Sequence, residues 1–279
     1  MEVYKNSSKD IFIQAEVLTI SGTASFGRNV HIDVKGIFHI GDRSKLGDDV
    51  EIKGRNVFIG NDLYHSSGLR VGGGGYTNPT ANFSIGNRCT IHNNVINIAE
   101  PVVIGNDVGL SPEVTVITHG YWLSVLDGFP AKFAGVMIDD GVIVGHRSTI
   151  LMGVHIHKNI VIGAGSVVTK NLDDANSIYA GSPAKFIRKV TPISKKERIN
   201  ALGHVINKYK KIANYHGINP TIVVDYPIIC VNKCKFDADR LEFDGEEDEE
   251  TDDFRDYVRK WGLRFYSYRP FRSIYENRF

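Results

Sequence analysis

The chain has 279 residues, of which 42% are hydrophobic and 23% charged, so it can bury a full core and could carry one large or two smaller domains. Its 33 Lys and Arg residues balance 32 Asp and Glu residues, which excludes a global electrostatic attraction to nucleic acid or an anionic membrane. Three cysteines form no disulfide-rich framework, so a reducing cytoplasm is expected. No run approaches the roughly 20 apolar residues that span a bilayer, and the N-terminus lacks the apolar segment of a signal peptide. We therefore expect a soluble, cytoplasmic protein without membrane insertion.

Apolar residues at six-residue steps begin near the N-terminus and run from about residue 20 to residue 52, with one change of phase. The steps are interrupted at about 66–82, where four consecutive glycines, Gly72–Gly75, predict an inserted loop. A mobile solvent loop is the favoured interpretation, because a glycine-rich phosphate cradle would need a following helix with a GK[ST] motif.

The six-residue period is strictest near the middle of the chain, where it involves Ile138, Val144, Ile150, Ile156, Ile162 and Val168. Six residues turn an α-helix by about 600°, which would scatter these side chains over three faces. In an extended chain six is a multiple of two, so all of them point the same way. Glycine follows the apolar residue at Gly145 and Gly163. The pattern predicts an all-β solenoid of short strands, in which each coil buries its apolar side against the next.

A second inserted loop is predicted at about 117–137, because the six-residue pattern disappears there and resumes afterwards. Long loops in compact repeats usually carry function. The sequence therefore predicts a β-helix domain over residues 1–190, with inserted loops at about 66–82 and 117–137.

Residues 191–279 have a different pattern and are predicted to form a C-terminal α+β extension. Ser194 and Glu197 form a capping-box pattern ahead of apolar residues at helical spacing. A second helix is predicted from Glu249 to Lys260. Its acidic start, the run GEEDEETDD, is interpreted as a solvated helix N-terminus, because adjacent carboxylates without loop geometry chelate metals poorly.

The repeat pattern and the segment VVIGNDVGLSPEVTVITHG, residues 102–120, resemble the hexapeptide-repeat acyltransferases, and in particular their maltose and galactoside acetyltransferase branch. The resemblance implies a left-handed parallel β-helix, in which three six-residue flats make one coil of a triangular prism. It further implies a homotrimer with active sites between subunits and acetyl-CoA as the co-substrate. The segment from 235 to 266, KFDADRLEFDGEEDEETDDFRDYVRKWGLRFY, looks like a tail found on bacterial polysaccharide acetyltransferases.

By this resemblance His119 falls on the catalytic histidine, and an imidazole can take the proton of a sugar hydroxyl at neutral pH. The segment IHNNVINIAEP resembles the part of the family that places an asparagine beside the acceptor, and Asn94 is ranked ahead of Asn97. Either asparagine could instead hold a corner of the β-helix, where asparagine tolerates left-handed backbone. Tyr121 and Trp122 either stack on a sugar ring or pantetheine arm, or pack the loop onto the prism.

For the acetyl donor, GAGSVVTK at 163–170 and AGSPAKFIR at 180–188 resemble the terminal coil of the family and the chain exit after it. The resemblance assigns the pantetheine to Gly145, His146 and Ala164, the nucleotide end to Thr169 and Lys170, and the phosphates to Lys185 and Arg188. His146 departs from the matching branch, which usually has a small residue there. The alternative is that the basic residues are solvated charges at the end of the prism. No metal is expected.

The leading hypothesis is an acetyl-CoA-dependent O-acetyltransferase that acts on a sugar hydroxyl of a bacterial-type surface polysaccharide or related glycan. Direct transfer with His119 as general base is favoured because Cys89, the only cysteine of the predicted prism, lies on a regular step where a packed thiol is expected. N-acetylation of a nucleotide-linked amino sugar stays open, since the same fold and donor site serve amines.

Two further classes remain as alternatives. The γ-type carbonic anhydrases share the prism but bind zinc through three histidines, and their HxxxxH spacing is missing because Ile160 stands five residues after His155. A non-catalytic β-helix scaffold would not require His119 and the CoA-type chain exit together.

Overall fold

The computed structural model describes residues 1–274 and divides the chain into two compact units, Met1–Thr191 and Pro192–Phe279. The first unit is a β-helix and the second is an α+β unit. None of the helices described over this range is both long and apolar enough to cross a membrane.

Three sheets form the faces of the β-helix, and the chain visits the first, second and third face in turn. The first face consists of β1 (Glu2–Asn6), β2 (Ile11–Ala15), β5 (Val30–Val34), β8 (Val50–Gly54), β11 (Arg70–Gly72), β14 (Val95–Asn97), β17 (Thr115–Val116), β22 (Thr149–Ile150) and β25 (Val167–Val168). The second face consists of β3 (Val17–Ile20), β6 (Ile37–Ile40), β9 (Asn56–Ile59), β12 (Asn82–Ile85), β15 (Val102–Ile104), β20 (Val136–Ile138) and β23 (His155–Ile156). The third face consists of β4 (Ser25–Phe26), β7 (Lys45–Leu46), β10 (Tyr64–His65), β13 (Thr90–Ile91), β16 (Gly109–Leu110), β21 (Ile143–Val144), β24 (Val161–Ile162), β26 (Ser177–Ala180) and β27 (Lys185–Lys189). Pairing is parallel except at the two ends, where β1 and β27 run antiparallel to their neighbours.

The core of the β-helix is the column of residues that the six-residue period predicts. Each of the six residues that define the strict period is at most 1% exposed. Ser148 and Ser166 also point inward, and both hydroxyls donate to the carbonyl oxygen of Gly163, at 3.1 and 2.6 Å, so their burial leaves no unpaired donor. The predicted left-handed parallel β-helix with a C-terminal extension is confirmed.

Two insertions leave the regular coils. The first covers residues 73–81 and is shorter than the predicted loop at about 66–82, because Arg70–Gly72 pairs with β8 and β14 as a regular strand. The second lies between β17 and β20. It contains an antiparallel hairpin of β18 (His119–Gly120) and β19 (Lys132–Phe133), with a 3₁₀ helix at Val125–Asp127 between them.

The second unit packs two helices with a four-stranded antiparallel sheet. Its helices are α1 (Lys195–Tyr215) and α2 (Glu249–Val258), followed by a 3₁₀ turn at Arg259–Trp261, and its strands are β28 (Ile222–Asp225), β29 (Ile228–Val231), β30 (Cys234–Asp237) and β31 (Glu242–Gly245). Ser194 caps α1, and the predicted capping box with Glu197 is formed.

The acidic start of α2 differs from the prediction of a solvated helix end. Asp252, Asp253 and Asp256 are only 3–6% exposed. Arg255 is fully buried beside them and donates to Asp252 Oδ1 at 3.0 Å and to Glu247 Oε1 at 2.6 Å. The interpretation is wrong for Asp252 and Asp253, which belong to the acidic run, whereas Asp256 lies after it. Ion pairs and hydrogen bonds compensate the burial of these carboxylates.

Candidate active site

His119 stands where the second insertion leaves the β-helix. Strand β17 of the first face ends at Val116, and the chain passes through Thr118 into the hairpin at the corner between the first and second faces. His119 pairs with Phe133 across the hairpin and is half-buried. The histidine is therefore held both by a coil of the prism and by the inserted loop.

Asn97, the last residue of β14, holds the imidazole ring. Its Oδ1 lies 2.9 Å from His119 Nδ1, and it also accepts from Ala99 N–H at 3.1 Å and from the Thr118 hydroxyl at 2.5 Å. A carboxamide oxygen can only accept, so Nδ1 of the neutral ring carries the proton. The lone pair of the neutral imidazole is then on Nε2.

The glycine-rich first insertion fixes the Asn97 amide from the other side. Asn97 Nδ2 donates to the carbonyl oxygens of Gly72 and Gly74, both at 3.2 Å, so the amide oxygen must face His119. A Cβ built on Gly74 would lie 3.5 Å from His119 Cε1 and 3.6 Å from Nε2. The predicted solvent loop thus packs against the histidine, and its only sequence signal was the glycine run itself.

The structure does not bring Asn94 to His119. Asn94 is fully buried, its Oδ1 accepts from His92 N–H at 2.8 Å, and its Nδ2 donates to the carbonyl oxygen of Ser111 at 2.8 Å. These are the contacts of a residue that holds a coil corner. Asn97, which was ranked second from the sequence, is therefore the asparagine that contacts His119.

Aromatic rings extend the site along the hairpin. The Tyr121 ring lies 5.3 Å from His119, and the Phe133 ring stacks on His119 at 5.6 Å with an interplanar angle of 12°. Trp122 is 88% exposed. Sequence reasoning missed Phe133, because the strand that returns it to His119 carries no six-residue period.

Three of the predicted donor residues lie together at the corner between the third and first faces. A Cβ built on Gly145 would lie 2.5 Å from the backbone nitrogen of Ala164, so only glycine fits beneath the next coil. His146 is in the same corner, where its carbonyl oxygen accepts from Gly165 N–H at 2.8 Å. The backbone of two successive coils therefore approaches closely here.

Thr169 and Lys170 lie at the other corner of the first face. They follow β25, two coils beyond the corner from which the His119 loop leaves, since β17, β22 and β25 are consecutive neighbours in the sheet. Lys185 and Arg188 lie on β27, the edge strand of the third face, and both are exposed. Of the basic residues assigned to the donor, Lys170 shares the corner of the histidine.

A polar groove runs along the outside of the first face and ends at Asn97. A surface cavity of about 400 Å³ beside Asn97 is lined by Lys53, Arg70 and Tyr76, among others. A larger cavity of about 830 Å³ follows along the same face and shares Lys53 and Arg70 with it. The site thus opens onto an extended, charged surface.

No protein-family profile matches the chain. The chain is 41% identical over 103 residues to Saccharomyces cerevisiae YJL218W, whose name marks it as a candidate acetyltransferase; the match covers 36% of this chain and 52% of the yeast protein. It is 36% identical over 75 residues to 2,3,4,5-tetrahydropyridine-2,6-dicarboxylate N-acetyltransferase of Staphylococcus aureus, covering 26% of this chain and 31% of that enzyme. The chain thus spans about half the length of the yeast relative and about a third of the bacterial one.

Among solved structures, the polysialic acid O-acetyltransferase OatWY aligns with 21% identity and a TM-score of 0.49 over 65% of this chain and 92% of OatWY. The sequence matches show that part of the chain is similar to acetyltransferases, and the strand pairing shows that the first unit is a parallel β-helix. These relatives do not single out the maltose and galactoside branch, nor the polysaccharide-acetyltransferase tail, and both remain predictions.

Proposed function

We propose that the chain is an acetyl-CoA-dependent O-acetyltransferase that acts on a sugar hydroxyl of a bacterial-type surface polysaccharide or related glycan. The observation that carries this proposal is the hydrogen bond from His119 Nδ1 to Asn97 Oδ1, which directs the Nε2 lone pair away from its support. A histidine held in this tautomer is a suitable general base for a hydroxyl.

His119 and Asn97 have separate roles in the proposed proton transfer. Nε2 of His119 takes the proton of the acceptor hydroxyl as its oxygen attacks the thioester carbonyl, and the same proton then passes to the departing CoA sulfur. Asn97 Oδ1 keeps the ring oriented and accepts from Nδ1 while the ring is positively charged. General-base assistance of this kind is typically worth about 10²- to 10⁴-fold in rate.

The donor is proposed to follow the coils beyond the histidine. Gly145 and Ala164, which lie on successive coils, are proposed to contact the pantetheine arm. Lys170 supplies a positive charge at the corner of His119, and Lys185 and Arg188 supply further charge at the end of the prism for CoA phosphates. Thr169 and His146 complete the proposed donor surface.

Direct transfer is supported by the burial of Cys89, the cysteine of the β-helix. The Cys89 thiol is buried and donates to the carbonyl oxygen of Gly105 at 3.2 Å. Burial raises the pKa of Cys89 to about 11, so a thiolate nucleophile is not formed near neutral pH. An acetyl-enzyme at Cys89 is therefore not part of the proposed reaction.

The groove on the first face supports a glycan acceptor. Tyr76 offers an aromatic ring for a sugar, and Arg70 offers positive charge for acidic groups on it. An amine acceptor, such as a nucleotide-linked amino sugar, is the second candidate, because one relative of the chain is named as an N-acetyltransferase.

A cytoplasmic homotrimer is proposed, and the inserted hairpin supports the assembly. Trp122 and Leu126 at its tip are 88% and 93% exposed, an arrangement that favours coverage by another copy of the chain. Each site of the trimer would then use residues of two chains.

Binding and turnover can be tested separately with the full chain. CoA should raise the melting temperature, and acetyl-CoA should release free thiol when oligosaccharides are added, with mass spectrometry showing an acetyl group on the sugar. Acetylation of amino sugars alone would favour the N-acetyltransferase. Absence of CoA binding together with absence of thiol release would contradict both the O-acetyltransferase and the N-acetyltransferase proposals. It would favour a non-catalytic β-helix scaffold.

A further inference from the structure

A second cluster of chemically active side chains lies on the outside of the second face. Strands β20 and β23 pair with Met137 opposite His155 and Ile138 opposite Ile156, which brings Asp139 opposite His157. Residues two apart in a strand point the same way, so both histidines project outward while Ile156 between them is fully buried. Three potential metal ligands thus share one outer surface on two successive coils.

The ligand atoms of this cluster converge. His155 Nε2 lies 2.8 Å from Asp139 Oδ1, and His157 Nδ1 lies 3.6 Å from Asp139 Oδ2. One ligand atom from each of the three residues lies within 4.8 Å of the others. Metal–ligand bonds of about 2.0–2.2 Å place neighbouring ligand atoms roughly 3–3.5 Å apart, so the ligand atoms that are farthest apart must move closer to enclose an ion.

Asp173 supplies the outer support that metal-binding histidines commonly have. The next coil crosses here, where Leu172 bridges to Ile156, and Asp173 Oδ1 lies 3.5 Å from His157 Nε2. A carboxylate beside Nε2 favours the tautomer with its proton there, which leaves the Nδ1 lone pair facing Asp139. The three side chains of the cluster are each 31–39% exposed, so an ion can enter from solvent.

We propose that Asp139, His155 and His157 bind one divalent transition-metal ion, with zinc as the expected occupant and water completing the coordination. Two imidazoles and one carboxylate suit zinc better than calcium or magnesium, which prefer oxygen ligands. Asp173 is a positioning residue for His157. The ion would link consecutive coils near the end of the prism, and none of its ligands belongs to the proposed acetyl-transfer site.

Zinc binding by the untagged, chelator-treated full chain tests this proposal, with calorimetry for affinity and Co²⁺ absorption for imidazole coordination. We expect one ion per chain with a dissociation constant below about 50 μM. Binding should be lost in His157→Ala and in Asp139→Asn, and Asp173→Asn should weaken it at least about tenfold. His31→Ala is the matched control and should bind as the wild type does, because His31 faces only one carboxylate, that of Asp10 at 3.2 Å.

Two results would overturn the site. One is the absence of zinc binding below about 50 μM by the folded wild type. The other is zinc binding that Asp139→Asn and His157→Ala both retain. If either of these variants fails to fold, Asp173→Asn decides: unchanged zinc affinity there would refute its positioning role and the site as proposed.

Discussion

The imidazole Nδ1 of His119 lies 2.9 Å from Asn97 Oδ1, and this hydrogen bond joins the inserted hairpin to a strand of the first face. The glycine-rich loop holds the opposite side of the same amide. One asparagine therefore connects two insertions that are far apart in sequence. The proposed chemistry depends on this arrangement, because the hydrogen bond sets which ring nitrogen carries the proton.

Removal of the Asn97 side chain should affect catalysis more than binding. In Asn97→Ala, kcat should fall at least about tenfold, equivalent to about 1.4 kcal/mol of transition-state free energy, while the KM for acetyl-CoA is retained. The control is Asn94→Ala, which removes buried hydrogen bonds at a coil corner and should cost about 1–3 kcal/mol of stability with kcat largely kept. Steady-state kinetics and thermal unfolding of both variants distinguish the catalytic role of Asn97 from the structural role of Asn94. Equal effects of the two substitutions on kcat would contradict this assignment.

Activity should tolerate alanine at Gly74 of the glycine-rich loop but not at Gly73. Gly73 has a φ of +84°, and a Cβ there would lie 2.8 Å from Asn97 Nδ2, so Gly73→Ala should displace the amide and lower kcat by about tenfold. Gly74→Ala would place its Cβ 3.5 Å from His119, an ordinary contact, and should stay within about threefold of wild type. Parallel kinetics of the two variants check this ordering. A reversed order would argue against support of Asn97 by the loop.

The basic residues proposed for the donor should affect acetyl-CoA and not the acceptor. Loss of a charge-assisted contact costs about 1.5–3 kcal/mol, so Lys170→Ala and Arg188→Ala should each raise the KM for acetyl-CoA roughly ten- to 150-fold. Lys158 is an exposed lysine near the same end of the prism but at the corner between the second and third faces, and Lys158→Ala serves as the control. A normal KM for acetyl-CoA in Lys170→Ala or Arg188→Ala would remove that residue from the donor site.

Stability should fall in mild acid because of a buried histidine in the third face. His65 is fully buried, and its Nδ1 accepts from Gly47 N–H at 3.1 Å. Burial lowers the pKa of His65 to about 4 and outweighs the backbone of Ser67, which acts in the opposite direction, while His92 and Lys45 add to the lowering. The unfolded chain, where a histidine has a pKa near 6.5, then binds the proton more readily than the folded one.

The free energy of unfolding should therefore decrease as the pH falls from about 6.5 towards about 4, by about 2 kcal/mol between pH 7 and pH 5 from this group. His65→Asn keeps an acceptor for Gly47 N–H without a titrating ring, so its stability should depend less on pH. Denaturant unfolding of both proteins at pH 7 and pH 5 measures the difference. The same pH dependence in both would exclude His65 as its source.

The fold could be predicted because its physical cause is local and repeated. A side chain two or six residues away in an extended chain points to the same side, so Ile138 and its successors reveal the inward column directly. The capping box of Ser194 and Glu197 is likewise a local pattern. The buried carboxylates of α2 were not predictable in this way, because their partner Arg255 and the surrounding contacts are set by tertiary packing.

The candidate site could be predicted only in part. His119 is marked by its place in the insertion, whereas the choice of Asn97 over Asn94 depends on which side chain leaves the coil interior. Phe133 and Gly74 reach His119 through loop conformations that no period encodes. The cluster around Asp139 forms only because of the register between β20 and β23. The prediction that no metal binds was made without knowledge of that register.

His119 is proposed to be the base in an acetyl transfer from acetyl-CoA. The most direct test measures thiol release from acetyl-CoA by wild type and His119→Ala with an acceptor from the oligosaccharide screen, alongside the thermal shift that CoA causes in each. The proposed mechanism predicts a loss of at least about 10²- to 10⁴-fold in turnover with the CoA shift retained, since the donor surface lies on other coils. Near-normal turnover by a folded, CoA-binding His119→Ala variant would contradict it.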